Sequence, residues 1–338
     1  MSKIEWTEQT WNPTTGCDRI SPGCDNCYAL TMAKRLKGMG SAKYQTDGDP
    51  RTSGPGFALA THPDTLTEPL RWKKPRKVFV NSMSDLFHAR VPRDFLAQVF
   101  AVMAATPQHT YQILTKRPER AARILTDLCT CGTGHPPGEH FRSSMEWAAT
   151  PHSPTYVPGL EHGIYHRSGW PLPNVWIGTS VENQKYADLR IPALLKTPAA
   201  VRFLSCEPLI GPVDLSDYVS RPCPCCHGEG HDESCAPCYD LGCNGGGFVH
   251  DLHWVIAGGE SGPGARPLHA EWLADILTDT QQAGVATFVK QLGTVWARDT
   301  YWGGKSIAAH GDTKGGDPTY WPGELRIREY PQTQRAAA

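Results

Sequence analysis

The chain lacks long apolar runs. Its longest strings are short, such as "VFV" and "WVIAGG", so nothing in it reads as a transmembrane span and no membrane contact is expected. Its beginning, "MSKIEWTEQTW", lacks an apolar signal region, which leads to the expectation of a cytoplasmic protein. Net charge is nearly absent as well: 33 Lys and Arg stand against 34 Asp and Glu, for a balance of −1. That excludes a strongly basic coat and leaves room for a local basic groove. Glycine (33) and proline (29) are plentiful, and 338 residues suffice for one large domain or two small ones.

Cysteine is the residue the chain has in excess. A cytosolic compartment keeps thiols reduced, so twelve cysteines in clusters point to metal binding rather than to a disulfide framework. Three lie at 17–27, two at 129 and 131, one at 206 and six between 223 and 243.

Several segments repeat one theme, a short β-branched or aromatic run that ends in polar residues and a turn. They are "KVFVNSMSDLFH" (77–88), "YQILTKRPER" (111–120), "NVWIGTSVENQ" (174–184), "VRFLSCEPLIG" (201–211), "HWVIAGGESGPG" (253–264) and "ATFVKQLG" (286–293). Helical patterns separate them, for example 92–106 and 269–284. In the latter, Trp272, Leu273, Ile276 and Leu277 fall at helical spacing and Gly284 is the stop. Six such strands, plus one in "KIEWTEQTWN", predict an α/β chain of parallel βαβ units. A full or partial (β/α) barrel fits, with an open doubly wound sheet as the alternative. In either fold ligands bind at the strand ends. There the chain carries Asn81, Ser82 and Asp85; Lys116 and Arg117; Ser180, Glu182 and Asn183; Glu207; Glu260 and Ser261; and Lys290 and Gln291. One such residue is an ordinary turn former, but six consecutive strands ending this way describe a wide polar mouth. Residues 129–172 and 216–250 break the rhythm and read as insertions in a barrel spanning 1–295. Residues 296–338 read as an irregular C-terminal extension.

The segment 223–243 reads as a zinc knuckle. Paired cysteines two residues apart on tight glycine turns suit a tetrahedral ion. The ligands expected are Cys223, Cys226, Cys238 and Cys243, with Cys235 the rival to one of the last two. "CPCCHGEG" resembles half of the DnaJ-type cysteine-rich domain, whereas "CYDLGC" lengthens the spacing. Cys129, Cys131, His135 and His140 offer donors for a second zinc, with a plain flexible loop as the alternative.

The stretch "TTGCDRISPGCDNCYAL" differs from both. Cys17, Cys24 and Cys27 have no nearby fourth cysteine and no histidine before His62. A zinc there needs a distant ligand. An iron–sulfur cluster on three thiolates instead keeps one iron open, whereas electron-transfer clusters usually close all four. An open iron suits a cluster that holds a cofactor directly, S-adenosylmethionine being the best-known case.

Three cysteines after a first strand, followed by a barrel-like series, resemble the radical S-adenosylmethionine superfamily. The first gap holds six residues, where that superfamily's common motif has three. Asn26 precedes the third cysteine and Tyr28 follows it. The superfamily's Gly-Gly-Glu motif follows the second strand, whereas "GGES" lies at 258–261, so its role is not carried over. More specifically, "WNPTTGC", "SPGCDNCYA", "ILTKRPER", "WIGTSVENQ", "FLSCEPLIGPVD", "GGESGPGARP" and "VKQLG" together resemble a phage and bacterial radical-SAM-like family of unassigned function. That family is associated with a three-Cys-motif partner protein.

The resemblance implies a radical-SAM-type barrel with a small zinc-binding insertion, a [4Fe-4S] cluster on Cys17, Cys24 and Cys27, and a reductant protein. It implies reductive cleavage of S-adenosylmethionine to a 5′-deoxyadenosyl radical. Cofactor contacts are then expected from Tyr28, Asn81, Ser82, Asp85, Arg117, Glu182 and Asn183, and catalytic or charge-partner roles from Lys116, Glu207 and Lys290. A nucleic-acid base or nucleotide, repaired or modified, is the first substrate class. It is suggested by the phage association and by basic–aromatic stretches such as "LRWKKPRKVF" (70–79), where Trp72 would stack on a base of DNA or RNA. "ILTKRP" is also similar to a strand end of DNA-lesion-repairing radical enzymes. A partner protein, peptide or small metabolite is the second class. A non-catalytic, zinc-stapled nucleic-acid-binding module is the third reading.

Overall fold

The computed structural model describes residues 4–164, 169–222, 225, 248–249 and 251–332. They form two compact units, one of residues 4–180 with 192–200, the other of 181–191 with 201–332.

In the first unit the parallel strands β1 (Gln9–Thr10), β4 (Lys77–Val80), β5 (Thr110–Thr115) and β6 (Val175–Ser180) lie in that order. Gln9 pairs with Val78, Val78 with Tyr111 and Tyr111 with Val175. β4, β5 and β6 are the largely buried runs expected of a sheet covered on both faces, and β6 is buried at every residue. Between β1 and β4 come a small antiparallel pair, β2 (Thr14–Thr15) and β3 (Ala60–Thr61), and helix α1 (Tyr28–Gly38). Helix α2 (Arg93–Ala105) connects β4 to β5. Helices α3 (Pro118–Thr126) and α4 (Glu139–Ala148) lie between β5 and β6. Proline at the first turn of α3 is tolerated because that amide has no partner inside a helix.

Helix α4 is a difference from the sequence reading, in which 129–172 is an insertion that breaks the rhythm of strands and helices. Its buried face is confined to Phe141, Met145 and Ala148, set among His, Arg, Ser and Glu. Phe141 packs edge-on against Phe100 of α2, with centroids 5.3 Å apart. Tertiary packing rather than a visible stripe makes this helix.

In the second unit helix α5 (Gln184–Leu195) begins, and strands β7 (Val201–Cys206), β10 (Trp254–Gly258) and β11 (Ala286–Gln291) run parallel in that order. The stretch between β7 and β10 contributes the short helix α6 (Ser216–Val219). It also contributes an antiparallel pair, β8 (Arg221–Pro222) and β9 (Phe248–Val249). Helix α7 (Ala270–Ala283) buries Leu273, Ile276 and Leu277 and ends on left-handed Gly284, as its spacing predicts. Helix α8 (Thr294–Asp299) and a hairpin of β12 (Tyr301–Trp302) and β13 (Lys305–Ser306) follow. The chain then returns to the sheet: Val289 donates to the Ile327 carbonyl at 2.8 Å, and Tyr330 stacks on Trp254.

The chain is thus α/β, with seven parallel strands, four in one unit and three in the other. The described residues do not supply the eighth strand of a full barrel. No helix among them is long and apolar enough to cross a membrane.

Candidate functional site

The three-cysteine loop leaves β2 through Gly16. Its φ is +85°, and a Cβ there would lie 2.0 Å from the Ala58 carbonyl oxygen, so both backbone and space require glycine. The Gly16 amide donates to the Met83 carbonyl at 2.9 Å, which ties the loop to the turn after β4. Asn12 makes a second tie: its Oδ1 accepts from the amides of Ser82 (2.8 Å) and Met83 (3.1 Å). Cys17 and Cys27 pack against one apolar cluster of Ala29, Ala33, Tyr44, Phe57 and Met83. Cys24 is buried, and its charge would oppose charge on either of the others. Cys27 sits at the start of α1, where the amides of Ala29 and Leu30 face its sulfur.

Burial dominates these thiols. It pushes Cys17 up to about 12, with the Asp85 carboxylate adding to the rise and Arg117 opposing it. It raises Cys27 too, against the Ala29 and Leu30 amides and the Lys116 charge. Without a metal both are neutral thiols near pH 7, so any metal they take must displace their protons.

Around the loop stands a polar frame. Asp85, in the turn after β4, accepts four hydrogen bonds: Phe87 N (2.9 Å) and Thr115 Oγ1 (2.7 Å) on Oδ1, Lys116 N (3.0 Å) and Arg117 Nη1 (2.8 Å) on Oδ2. Arg117 Nη1 also lies 3.6 Å from Cys17 Sγ. Asp18 accepts from Ser53 (2.5 Å), Thr52 (2.8 Å) and Arg90 (3.1 Å), and faces His88 Nε2 at 2.9 Å. Burial works against its charge, but the bonds from Ser53, Thr52 and His88 and the Arg90 charge hold its carboxyl well below the usual range. Asn81 is 3% exposed; its amide nitrogen donates to Thr14 and Ser84, and its Oδ1 is buried without a hydrogen-bond partner. Tyr28 is exposed and donates to the Ser82 carbonyl.

The structure therefore brings Tyr28, Asn81, Ser82, Asp85, Lys116 and Arg117 into one neighbourhood with Cys17, Cys24 and Cys27. Asn12, Asp18 and His88, which join them, were not picked out by sequence reasoning. Their signal is the motif "WNPTTGC" for Asn12; none marks His88, 70 residues from Asp18.

Glu182, Asn183, Glu207 and Lys290 lie in the second unit. Glu182 is fully buried and bonds Arg190 Nη1 at 2.8 Å, itself 2% exposed and stacked on Tyr186. This is an internal ion pair, not an open acid. The Asn183 side chain faces the Tyr186 amide at 3.4 Å, in the first turn of α5. Glu207 Oε1 accepts from Lys290 Nζ (2.7 Å) and Gln291 Nε2 (3.2 Å). Glu260 of "GGES" is held bidentately by Arg266, at 2.9 and 2.6 Å. The stretch at 70–76 precedes β4, away from the strand end that carries Asn81. Trp72 there is engaged by His109 and Arg76, while Arg71, Lys73 and Lys74 are exposed.

Cys129, Cys131, His135 and His140 converge. Cys129 Sγ is 3.1 Å from Cys131 Sγ and 3.6 Å from His135 Nδ1. His135 Nδ1 is 3.4 Å from both Cys131 Sγ and His140 Nε2. All four donor atoms lie within 4.8 Å of one another, an arrangement able to hold a metal such as zinc. The Cys131 and His140 side chains lower Cys129 to about 4, so this thiol, unlike Cys17, is poised as a thiolate. Cys223, Cys226, Cys235, Cys238 and Cys243 lie outside the described residues.

A family model described as "Protein of unknown function (DUF5131)" matches residues 1–321, and the chain belongs to that family. No curated protein and no solved structure matches it.

Proposed function

We propose that this member of the family is a radical S-adenosylmethionine enzyme, with a [4Fe-4S] cluster held by Cys17, Cys24 and Cys27, acting on a nucleic-acid base or nucleotide. The observation that carries the reading is the contrast between two cysteine sites. Among the described residues, Cys129, Cys131, His135 and His140 gather around a single point, and Cys17, Cys24 and Cys27 form no such compact group. Two of these thiols, Cys17 and Cys27, pack against one apolar cluster and the third, Cys24, is buried, which suits a ligand several ångströms across rather than one ion.

Cys17, Cys24 and Cys27 would hold the cluster, which would supply one-electron reduction of S-adenosylmethionine and so the means to abstract a hydrogen atom from an unactivated carbon of the substrate. The chain's own residues orient and insulate. The apolar packing around the half-buried Cys17 and Cys27 shields their thiols in part from water. Arg117 offsets thiolate charge at Cys17 and Lys116 at Cys27, favouring loss of their protons as metal binds. Asp85 fixes the Arg117 guanidinium, and its second oxygen bonds Thr115 and the Phe87 amide. The unpaired Asn81 Oδ1 is an acceptor for an ammonium or hydroxyl group of the cofactor.

Support for a polyanionic substrate comes from exposed cations beside the same loop: Arg19, Arg51 and Arg90, the last 3.1 Å from Asp18. Glu207 and Lys290 are proposed as a charge pair that exchanges partners when substrate binds, and Asn183 as a further polar contact. Zinc on Cys223, Cys226, Cys238 and Cys243, with Cys235 as rival, a reductant protein, and a three-Cys-motif partner protein remain parts of this proposal.

The experiment is anaerobic reconstitution with iron and sulfide, then dithionite and S-adenosylmethionine, with and without DNA or RNA. Formation of 5′-deoxyadenosine, stimulated by nucleic acid and lost in Cys24→Ala, is expected. Formation without any such stimulation would move the substrate to a protein, peptide or metabolite. Absence of iron after reconstitution would remove the enzyme reading.

A further inference from the structure

The geometry points to a second, independent metal centre: a closed, mononuclear zinc site on Cys129, Cys131, His135 and His140 that pins the loop after α3 to the first turn of α4. For a tetrahedral ion, bonds of about 2.3 Å to sulfur and about 2.05 Å to nitrogen imply donor separations of about 3.8 Å for S–S, about 3.6 Å for S–N and about 3.3 Å for N–N. The observed S–N separations are 3.6 and 3.4 Å and the N–N separation is 3.4 Å, so those edges need almost no adjustment. The S–S edge, at 3.1 Å, must open, and both sulfurs belong to exposed or half-buried residues with room to do so.

The donor set also selects the ion. Two thiolates and two imidazoles in a tetrahedron suit zinc or an iron–sulfur centre. A two-iron centre with mixed Cys and His ligation places the two donor types on different irons. Here all four atoms lie within 4.8 Å, around one point. With four protein ligands the coordination shell is full, which is the pattern of a structural ion rather than a catalytic one. Thr133 Oγ1 lies 2.8 Å from Cys131 Sγ and 3.0 Å from His135 Nδ1, a neighbour that can support the sulfur as an outer hydrogen-bond donor.

The loop needs such a tie. Leu128 is exposed, and residues 129–138 are Cys, Thr, Gly, His and Pro, of which only Gly138 is buried. Left-handed Gly132 and Gly134 turn the chain so that His135 faces the two cysteines. His140 stands one residue before Phe141, whose ring is packed on Phe100. Metal binding energy is therefore spent on ordering this segment against the core of its own unit.

The test uses the full chain and needs no cluster activity. Zinc content should fall by one equivalent per chain in Cys131→Ser and in His140→Ala, and be unchanged in Cys17→Ala/Cys24→Ala/Cys27→Ala. To separate this site from the cysteines at 223–243, cobalt is titrated into Cys223→Ser/Cys226→Ser. Tetrahedral ligand-field bands are expected, with charge-transfer intensity for two thiolates. Removal of zinc should speed proteolytic cleavage between residues 127 and 140. Unchanged metal content in both Cys131→Ser and His140→Ala, an octahedral cobalt spectrum, or a Cys129–Cys131 disulfide in the freshly purified protein would each overturn the proposal.

Discussion

The Arg117 guanidinium bridges a carboxylate and a thiol that lie 68 residues apart in sequence: its Nη1 is 2.8 Å from Asp85 Oδ2 and 3.6 Å from Cys17 Sγ. One charge thus serves both the polar frame and the three-cysteine loop. Asp85→Ala removes the acceptor of four hydrogen bonds and leaves Arg117 short of a counter-charge. A loss of about 3 kcal/mol in stability is expected, the scale for breaking a largely buried pair. Urea unfolding of the metal-free protein measures it, and an unchanged midpoint would refute the buttressing role.

Gly16→Ala places a methyl group against the Ala58 carbonyl at a positive φ. Strain at such a position costs on the order of 1–3 kcal/mol, and the contact at 2.0 Å forces the loop to shift as well. Thermal unfolding should register the loss, and alkylation of Cys17 should accelerate as the loop lifts. Equal melting temperature and alkylation rate in both proteins would show that the loop accommodates alanine.

The buried pair in the second unit should outweigh the half-open one. Glu182→Ala strands Arg190, which is almost fully buried, and is expected to cost about 3 kcal/mol. Glu207→Ala leaves Lys290 with access to water and is expected to cost about 1 kcal/mol. Comparable losses in the two variants would contradict the burial argument.

Cys206 gives the protein a pH dependence of known sign. Burial, helped by the Glu182 carboxylate, pushes this thiol from 9.0 up to about 12. The unfolded chain therefore releases the proton first. The stabilising term is whole below pH 9 and is lost as pH rises from 9 towards 12. Between pH 8 and pH 10 stability should fall by about 1 kcal/mol more in the natural protein than in Cys206→Ala. Chemical denaturation at the two values checks it, and an identical fall in both proteins would assign the effect elsewhere.

Strands such as β4 and β6 were legible because "KVFV" and "VWIGTS" are runs that a sheet covered on both faces demands. Helix α4 was not, since Phe141, Met145 and Ala148 find their partners on α2 and not in their own stretch. At the site, cysteine spacing revealed where thiols gather. It did not reveal that Glu182 is spent on Arg190, or that Asp18 and His88 meet across 70 residues. Those pairings are made by the fold, from residues whose local surroundings resemble any polar turn.

The most direct test of the central claim is the iron and sulfide content of anaerobically reconstituted protein, read together with 5′-deoxyadenosine formed from S-adenosylmethionine after reduction. The account predicts about four irons and four sulfides per chain, the content of one cubane cluster, with turnover of the cofactor. Both should vanish in Cys17→Ala/Cys24→Ala/Cys27→Ala and persist in Cys131→Ser. A protein that takes up only zinc at those three cysteines, and leaves S-adenosylmethionine intact, would contradict it.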